Sequence, residues 1–187
     1  RRPEDLAAGV ASATGRPARW VRQPEDALLG ALAERVGGRL DLALPAFGHP
    51  GYEASRLGSP LHPLRTRWME PAAGRGDPGP SEVAEALAAG ANAILLCPVA
   101  GDPGPLAEIE RLCRNAGAAL ALDARGLMGS RALDREAFAF GDLTLVPVDA
   151  EGGPSPCPGA IVLGAASGDS GRVGGPAPAW ALRSLLR

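Results

Sequence analysis

The chain has 187 residues, 45% of them hydrophobic, and a formal net charge of -2 at pH 7. That balance suits a globular domain with room for a core. It offers neither the unbroken apolar run of a membrane span nor the basic stripe with interleaved aromatics of a nucleic-acid binder. The amino terminus, Arg1-Arg2-Pro3-Glu4-Asp5, turns acidic at once and lacks the apolar centre of a signal peptide, so a cytoplasmic location is expected.

In chain order, Asp5 to Ala13 predicts a short helix closed by Gly15. Pro24-Glu25-Asp26 opens a stronger one, with proline in the first turn and acids against the helix dipole. Leu28, Leu29, Leu32 and Val36 repeat at helical spacing until Gly37-Gly38. Leu40 to Leu44 reads as a strand, followed by a turn-rich segment to Gly51, and a second strand lies near Leu64 to Trp68. Pro71 to Pro80 reads as loop, and Ser81 is positioned to cap a helix through Ala89.

The clearest pattern follows. Ala93-Ile94-Leu95-Leu96-Cys97 predicts a buried strand. Asp102-Pro103-Gly104-Pro105 starts a helix with Leu106, Ile109 and Leu112 facing inward, ending at Gly117. Ala118 to Leu122 predicts the next buried strand, stopping at Asp123. Strand, helix, strand at this spacing is a right-handed βαβ unit of a parallel sheet. Leu143 to Val146 and Ala160 to Leu163 predict two further strands, Gly164 to Pro178 a flexible loop, and Trp180 to Leu186 a short closing helix. The expected fold class is α/β, one domain over residues 1–187 with a mixed, mainly parallel sheet.

Cys97, Cys113 and Cys157 are an odd number without C-x-x-C spacing, which reads as reduced thiols rather than a disulfide framework or zinc site. Cys97 and Cys113 fall on predicted core positions, Cys157 in a loop with no histidine beside it in sequence. His49 and His62 lack carboxylates at metal-binding spacing, so no metal is expected. Glu82, Glu85, Glu108 and Glu110 read as solvated helix faces. The glycine-rich stretches at 164–168 and 171–175 lack G-x-x-x-x-G-K-[ST] and are not a phosphate loop. All 19 basic residues are arginine; there is no lysine. Codon bias in a G/C-rich genome can empty a surface of lysine, but it does not remove one that catalysis requires.

The order of segments carries a resemblance. The run Ala93-Ile94-Leu95-Leu96-Cys97-Pro98-Val99-Ala100-Gly101-Asp102-Pro103, then Ala119-Leu120-Ala121-Leu122-Asp123-Ala124, Gly129 and Phe140-Gly141-Asp142, with Leu42-Ala43-Leu44-Pro45-Ala46-Phe47 upstream, resembles the DegT/DnrJ/EryC1/StrS family of sugar aminotransferases. The resemblance implies pyridoxal-phosphate (PLP) fold type I. This is a three-layer large domain followed in the family by a small C-terminal domain, here expected to be missing, and a dimer whose active sites lie at the interface. It also assigns positions. The Schiff-base lysine falls near Asp149 to Gly153, where no amine side chain stands. The phosphate-binding helix start falls on Gln23, Pro24 and Glu25, and a second phosphate ligand on Pro147. A glutamine beside the cofactor falls on Gly126, and the stacking aromatic near His49. Asp123 alone keeps the family's identity, at the place of the acid that binds the pyridine nitrogen; it equally suits a strand-end cap.

The resulting expectation is a pseudoenzyme with no catalytic residue and no bound cofactor, Asp123 and His49 being remnants. It acts as a homodimer or as a heterodimer with an active aminotransferase-family chain. Two alternatives stay open. One is altered chemistry on a sugar nucleotide or amino acid in the old crevice, with Asp123 as base. The other is a partial enzyme completed by a partner's lysine.

Overall fold

A computed structural model describes residues 3–47, 52, 64–98, 102–127, 129–133, 135–147 and 159–164. Among the described residues the helices and strands run in the order α1 (Pro3–Thr14), β1 (Ala18–Val21), α2 (Pro24–Val36), β2 (Leu40–Pro45), β3 (Leu64–Met69), α3 (Pro80–Ala88), β4 (Ala93–Leu96), α4 (Leu106–Ala116), β5 (Ala119–Asp123), β6 (Arg131–Ala132), β7 (Arg135–Glu136), β8 (Leu143–Pro147) and β9 (Ala160–Leu163). Seven strands form one sheet in the order β1-β9-β8-β5-β4-β2-β3. β3, β2, β4, β5 and β8 are parallel, and β9 runs antiparallel to β8 and β1. This is the expected mixed, mainly parallel α/β sheet.

The sheet divides two apolar layers. Leu42, Leu44, Leu95, Ala121, Leu145 and Val162 point to the face covered by Leu28 and Leu32 of α2. The alternate residues Ala43, Ile94, Leu96, Leu120 and Leu122 meet Val83 of α3 and Ile109 and Cys113 of α4. α1 covers Val146, Ile161 and Leu163 on that second side. Right-handed crossovers explain the split. The chain travels one way across the sheet through α2, from β1 to β2, and back the other way through α3 and α4. Helices from the two directions therefore land on opposite faces. The carboxyl ends of the parallel strands share one edge of the sheet, where open α/β sheets place ligands. The start of α2, which follows β1, reaches the same edge.

Local differences from the sequence reading have local causes. β1 was not anticipated; it is four residues long with Arg19 in its middle, too short to show alternation. The cap of α3 is Gly79 rather than Ser81: the Gly79 amide donates to the Glu82 carboxylate at 2.8 Å. On α4 the third inward residue is Cys113, with Leu112 only half-buried. Glu110 is no solvated face, since it accepts from the Gly141 amide at 3.0 Å and from Arg135 at 2.9 Å. The loop expected from Gly164 to Pro178 lies beyond the described residues after Gly164, as does the helix at 180–186.

Phe140-Gly141-Asp142 acts as a register clamp. The Asp142 amide donates to the Leu120 carbonyl at 2.8 Å, and the Leu120 amide donates back to the Asp142 carboxylate at 2.9 Å. Gly141 sits at φ 79°, and a Cβ there would lie 3.0 Å from the Leu120 carbonyl oxygen. Gly141→Ala is expected to cost about 1–3 kcal/mol, because it combines left-handed backbone strain with that close approach. A lower urea midpoint at unchanged slope checks this, and an unchanged midpoint refutes it.

Candidate functional site

β5 is a run of small and apolar residues that fits a strand buried on both faces. It ends in Asp123, only 3% exposed, and the backbone then tightens into a 3-10 turn from Ala124 to Leu127. That turn brings Arg125 back over the acid. The Arg125 amide and Nε each donate to Asp123 Oδ1 at 3.0 Å, and Nε also reaches Oδ2 at 2.9 Å. Arg125 Nη2 donates to Asp123 Oδ2 as well. Tyr52 adds its hydroxyl to the same oxygen at 3.0 Å. On its far side Arg125 Nη1 donates to Glu25 Oε1 at 2.7 Å. Glu25 lies in the first turn of α2, where the helix dipole favours an anion. The guanidinium carbon is 5.9 Å from the Tyr52 ring centroid, within cation–π range.

One planar cation is thus held by two carboxylates beside an aromatic ring, and the four residues tie α2 to the end of β5. Burial of Arg125 works against its charge. The hydrogen bonds and charge of Asp123, aided by Glu25, outweigh burial and hold its pKa above the ordinary arginine value. Burial first, and the charge of Asp123 second, push the Tyr52 phenol well above its usual range. Tyr52 therefore stays a donor at neutral pH and is not a base. The buried Cys97 thiol belongs to the same core cluster as Tyr52.

Of the positions singled out in the sequence, the structure places Asp123 at the centre of this cluster and Glu25 beside it, with Pro24 one residue before. His49, His62, Cys157 and Asp149 to Gly153 lie outside the described residues. Gly126 sits in the 3-10 turn, and Pro147 ends β8, half-buried. Arg125 and Tyr52 were missed. An arginine two residues past a strand-end aspartate is a signal for the first; nothing local marks the second. Among the described residues there is no group of three or more His, Cys, Asp or Glu that could hold a metal ion. No described helix is long and apolar enough to cross a membrane.

A cavity of about 440 Å³ lies at the opposite end of β5, lined by Arg35, Glu110, Cys113, Arg114, Gly141 and Asp142 among others. Its charged groups are paired with one another: Arg35 with Asp142 at 2.6 Å, and Arg114 with Glu110 at 3.4 Å. Burial pushes the Cys113 thiol up to about 12, so it supplies no thiolate nucleophile at neutral pH. The carboxyl edge of the sheet remains the candidate site.

No family model matches the chain, and no curated protein matches it. Solved structures do. An Escherichia coli GDP-4-keto-6-deoxy-D-mannose-3-dehydratase, solved with bound hydrated PLP, superposes with a TM-score of 0.72 at 17% identity over 87% of this chain and 43% of its own. The aminotransferase TlmJ from Streptoalloteichus hindustanus gives 0.70 at 21% identity over 87% of this chain and 45% of its own. An aminotransferase from Psychrobacter cryohalolentis gives 0.68 at 14% identity over 98% of this chain and 43% of its own. At these identities the likeness shows the fold: that of the large domain of PLP fold type I enzymes. The chain spans less than half the length of these neighbours.

The neighbours correct one expectation. The expectation that no cofactor is bound is not supported: the E. coli dehydratase shares the fold and holds PLP, so the absence of a cofactor does not follow from the fold. The residues present fit that group unevenly. Asp123 is the kind of buried acid that a pyridinium nitrogen requires, but here Arg125 and Tyr52 already bond to it. At the positions that the resemblance assigns to the phosphate, Pro24 has no amide hydrogen, Glu25 brings a carboxylate and Pro147 has no hydroxyl.

Proposed function

We propose that this chain is an aminotransferase-like subunit that makes no Schiff base through a side chain of its own and acts by associating with a second chain, either another copy or an active relative of the same fold. One observation carries the reading: among 187 residues there is no lysine, and all 19 basic residues are arginine. A guanidinium stays protonated at neutral pH and is not a useful nucleophile. The arrangement around Asp123 agrees with this. A carboxylate bonded to a guanidinium and a phenol is a poor general base, which disfavours altered chemistry with Asp123 as base. The retention of a buried acid at the end of β5 favours one form of the proposal, in which the partner lends the amine.

Native mass spectrometry with and without added PLP, followed by borohydride reduction and peptide mapping, tests it. A two-chain mass is expected, and any pyridoxyl group fixed on a side chain is expected on the partner and never on this chain. Fixation on the partner that is lost when this chain carries Asp123→Ala establishes the lent amine. A monomer that recovers no partner from its own cell extract, or a pyridoxyl adduct on a side chain of this chain, overturns the proposal.

A further inference from the structure

At the carboxyl end of β5 two carboxylates, Asp123 and Glu25, flank one planar cation, Arg125. Asp123 is almost fully buried, Glu25 is 15% exposed at its side chain, and Arg125 lies between them at 26%. The guanidinium offers its Nε and Nη2 edge to Asp123 and its Nη1 to Glu25. We propose that Arg125 is a built-in latch over Asp123: it covers the acid's oxygens, bolts the start of α2 to β5, and gives up Asp123 only when it swings out. The inference is independent of whether the chain works alone or with a second one.

The physical case rests on geometry. Arg125 is anchored from its own backbone, since its amide also bonds Asp123 Oδ1. Its side chain closes back over the acid two residues earlier, so acid and cation sit on one turn. The bidentate fork against a carboxylate is the strongest common pairing of two side chains. The second carboxylate comes from a different element, so the latch is shut only when α2 and β5 are in register. A ligand that requires Asp123 must replace a charged, N–H-donating group, and its apparent affinity falls by the fraction of molecules in which the latch is open.

Labelling carboxylates with a water-soluble carbodiimide and glycine ethyl ester, read by peptide mass spectrometry, tests the latch without a ligand. Asp102, whose side chain is 62% exposed, is the internal reference. In the wild-type chain Asp123 is expected to label at least about tenfold more slowly than Asp102, as a group reached only through local opening does. In Arg125→Ala, folded by circular dichroism, Asp123 is expected to approach the Asp102 rate. Glu25→Gln removes one anchor and leaves the acid paired, so it keeps the fold and gives an intermediate rate. If Arg125→Ala does not fold, Glu25→Gln decides. Wild-type Asp123 labelling as fast as Asp102, or Asp123 protected equally in the wild type and in the folded variants, overturns the latch.

Discussion

Arg125→Ala is expected to destabilise the protein by about 3–5 kcal/mol, the usual cost of stranding one member of a buried ion pair. For a chain of this size that lowers the melting temperature by about 10 °C. The loss comes less from the bonds removed than from what stays behind. Asp123 is 3% exposed and, among the described residues, keeps the Tyr52 hydroxyl and one backbone amide for its charge. The cause is separable by a double-mutant cycle. Asp123→Asn in the Arg125→Ala background is expected to recover more than half of the lost stability, because it removes the orphaned charge and keeps the shape. Urea melts of the two single variants and the double variant check this. Additive losses would show that the two residues do not act on one another and would remove the ion cluster as the tie between α2 and β5.

Arg16→Met is expected to be the second most damaging single change at a charged residue, by roughly 2–4 kcal/mol, since hydrogen bonds from a charged donor are each worth more than neutral ones. Its guanidinium donates to the carbonyls of Phe138, Gly141 and Asp142 at 3.3, 3.0 and 3.0 Å and to the Thr144 hydroxyl at 3.2 Å. Burial depresses its pKa somewhat, and the charge of Asp142 opposes that, so it remains a cation at neutral pH. Methionine keeps the apolar stem and leaves four acceptors without that donor, in the loop that sets the register of β8 against β5. Arg35→Ala is the contrast. Arg35 pairs with the same aspartate through a side chain that is 56% exposed, and its loss is expected to stay within about 1 kcal/mol. Equal urea midpoints for the two variants would refute the distinction.

Much of the fold was legible along the chain. β4 and β5 announce themselves because they are buried on both faces and read as continuous apolar runs around a helix with a clear start and stop. Phe140-Gly141-Asp142 was visible as a motif, yet its work was not. Only the folded chain shows that the glycine lets two backbones approach and that the aspartate closes the ladder onto Leu120. In the sequence Glu25 marks the start of a helix; in the structure it is a partner for a residue 100 positions away. Glu110 was read as solvated because its helix face is charged, but the loop before β8 folds over it.

The sequence by itself determined the α/β class with its mainly parallel sheet, the place of Asp123 at the end of a buried strand, and the absence of any side-chain amine, because each of these is a matter of local pattern or composition. The tertiary structure alone decided what Asp123 touches. Its partners come from the start of α2, from Tyr52 and from the turn just beyond it. No periodicity in a chain encodes which distant charges meet; the crossing of α2 over the sheet brings them together, and burial makes leaving them unpaired costly.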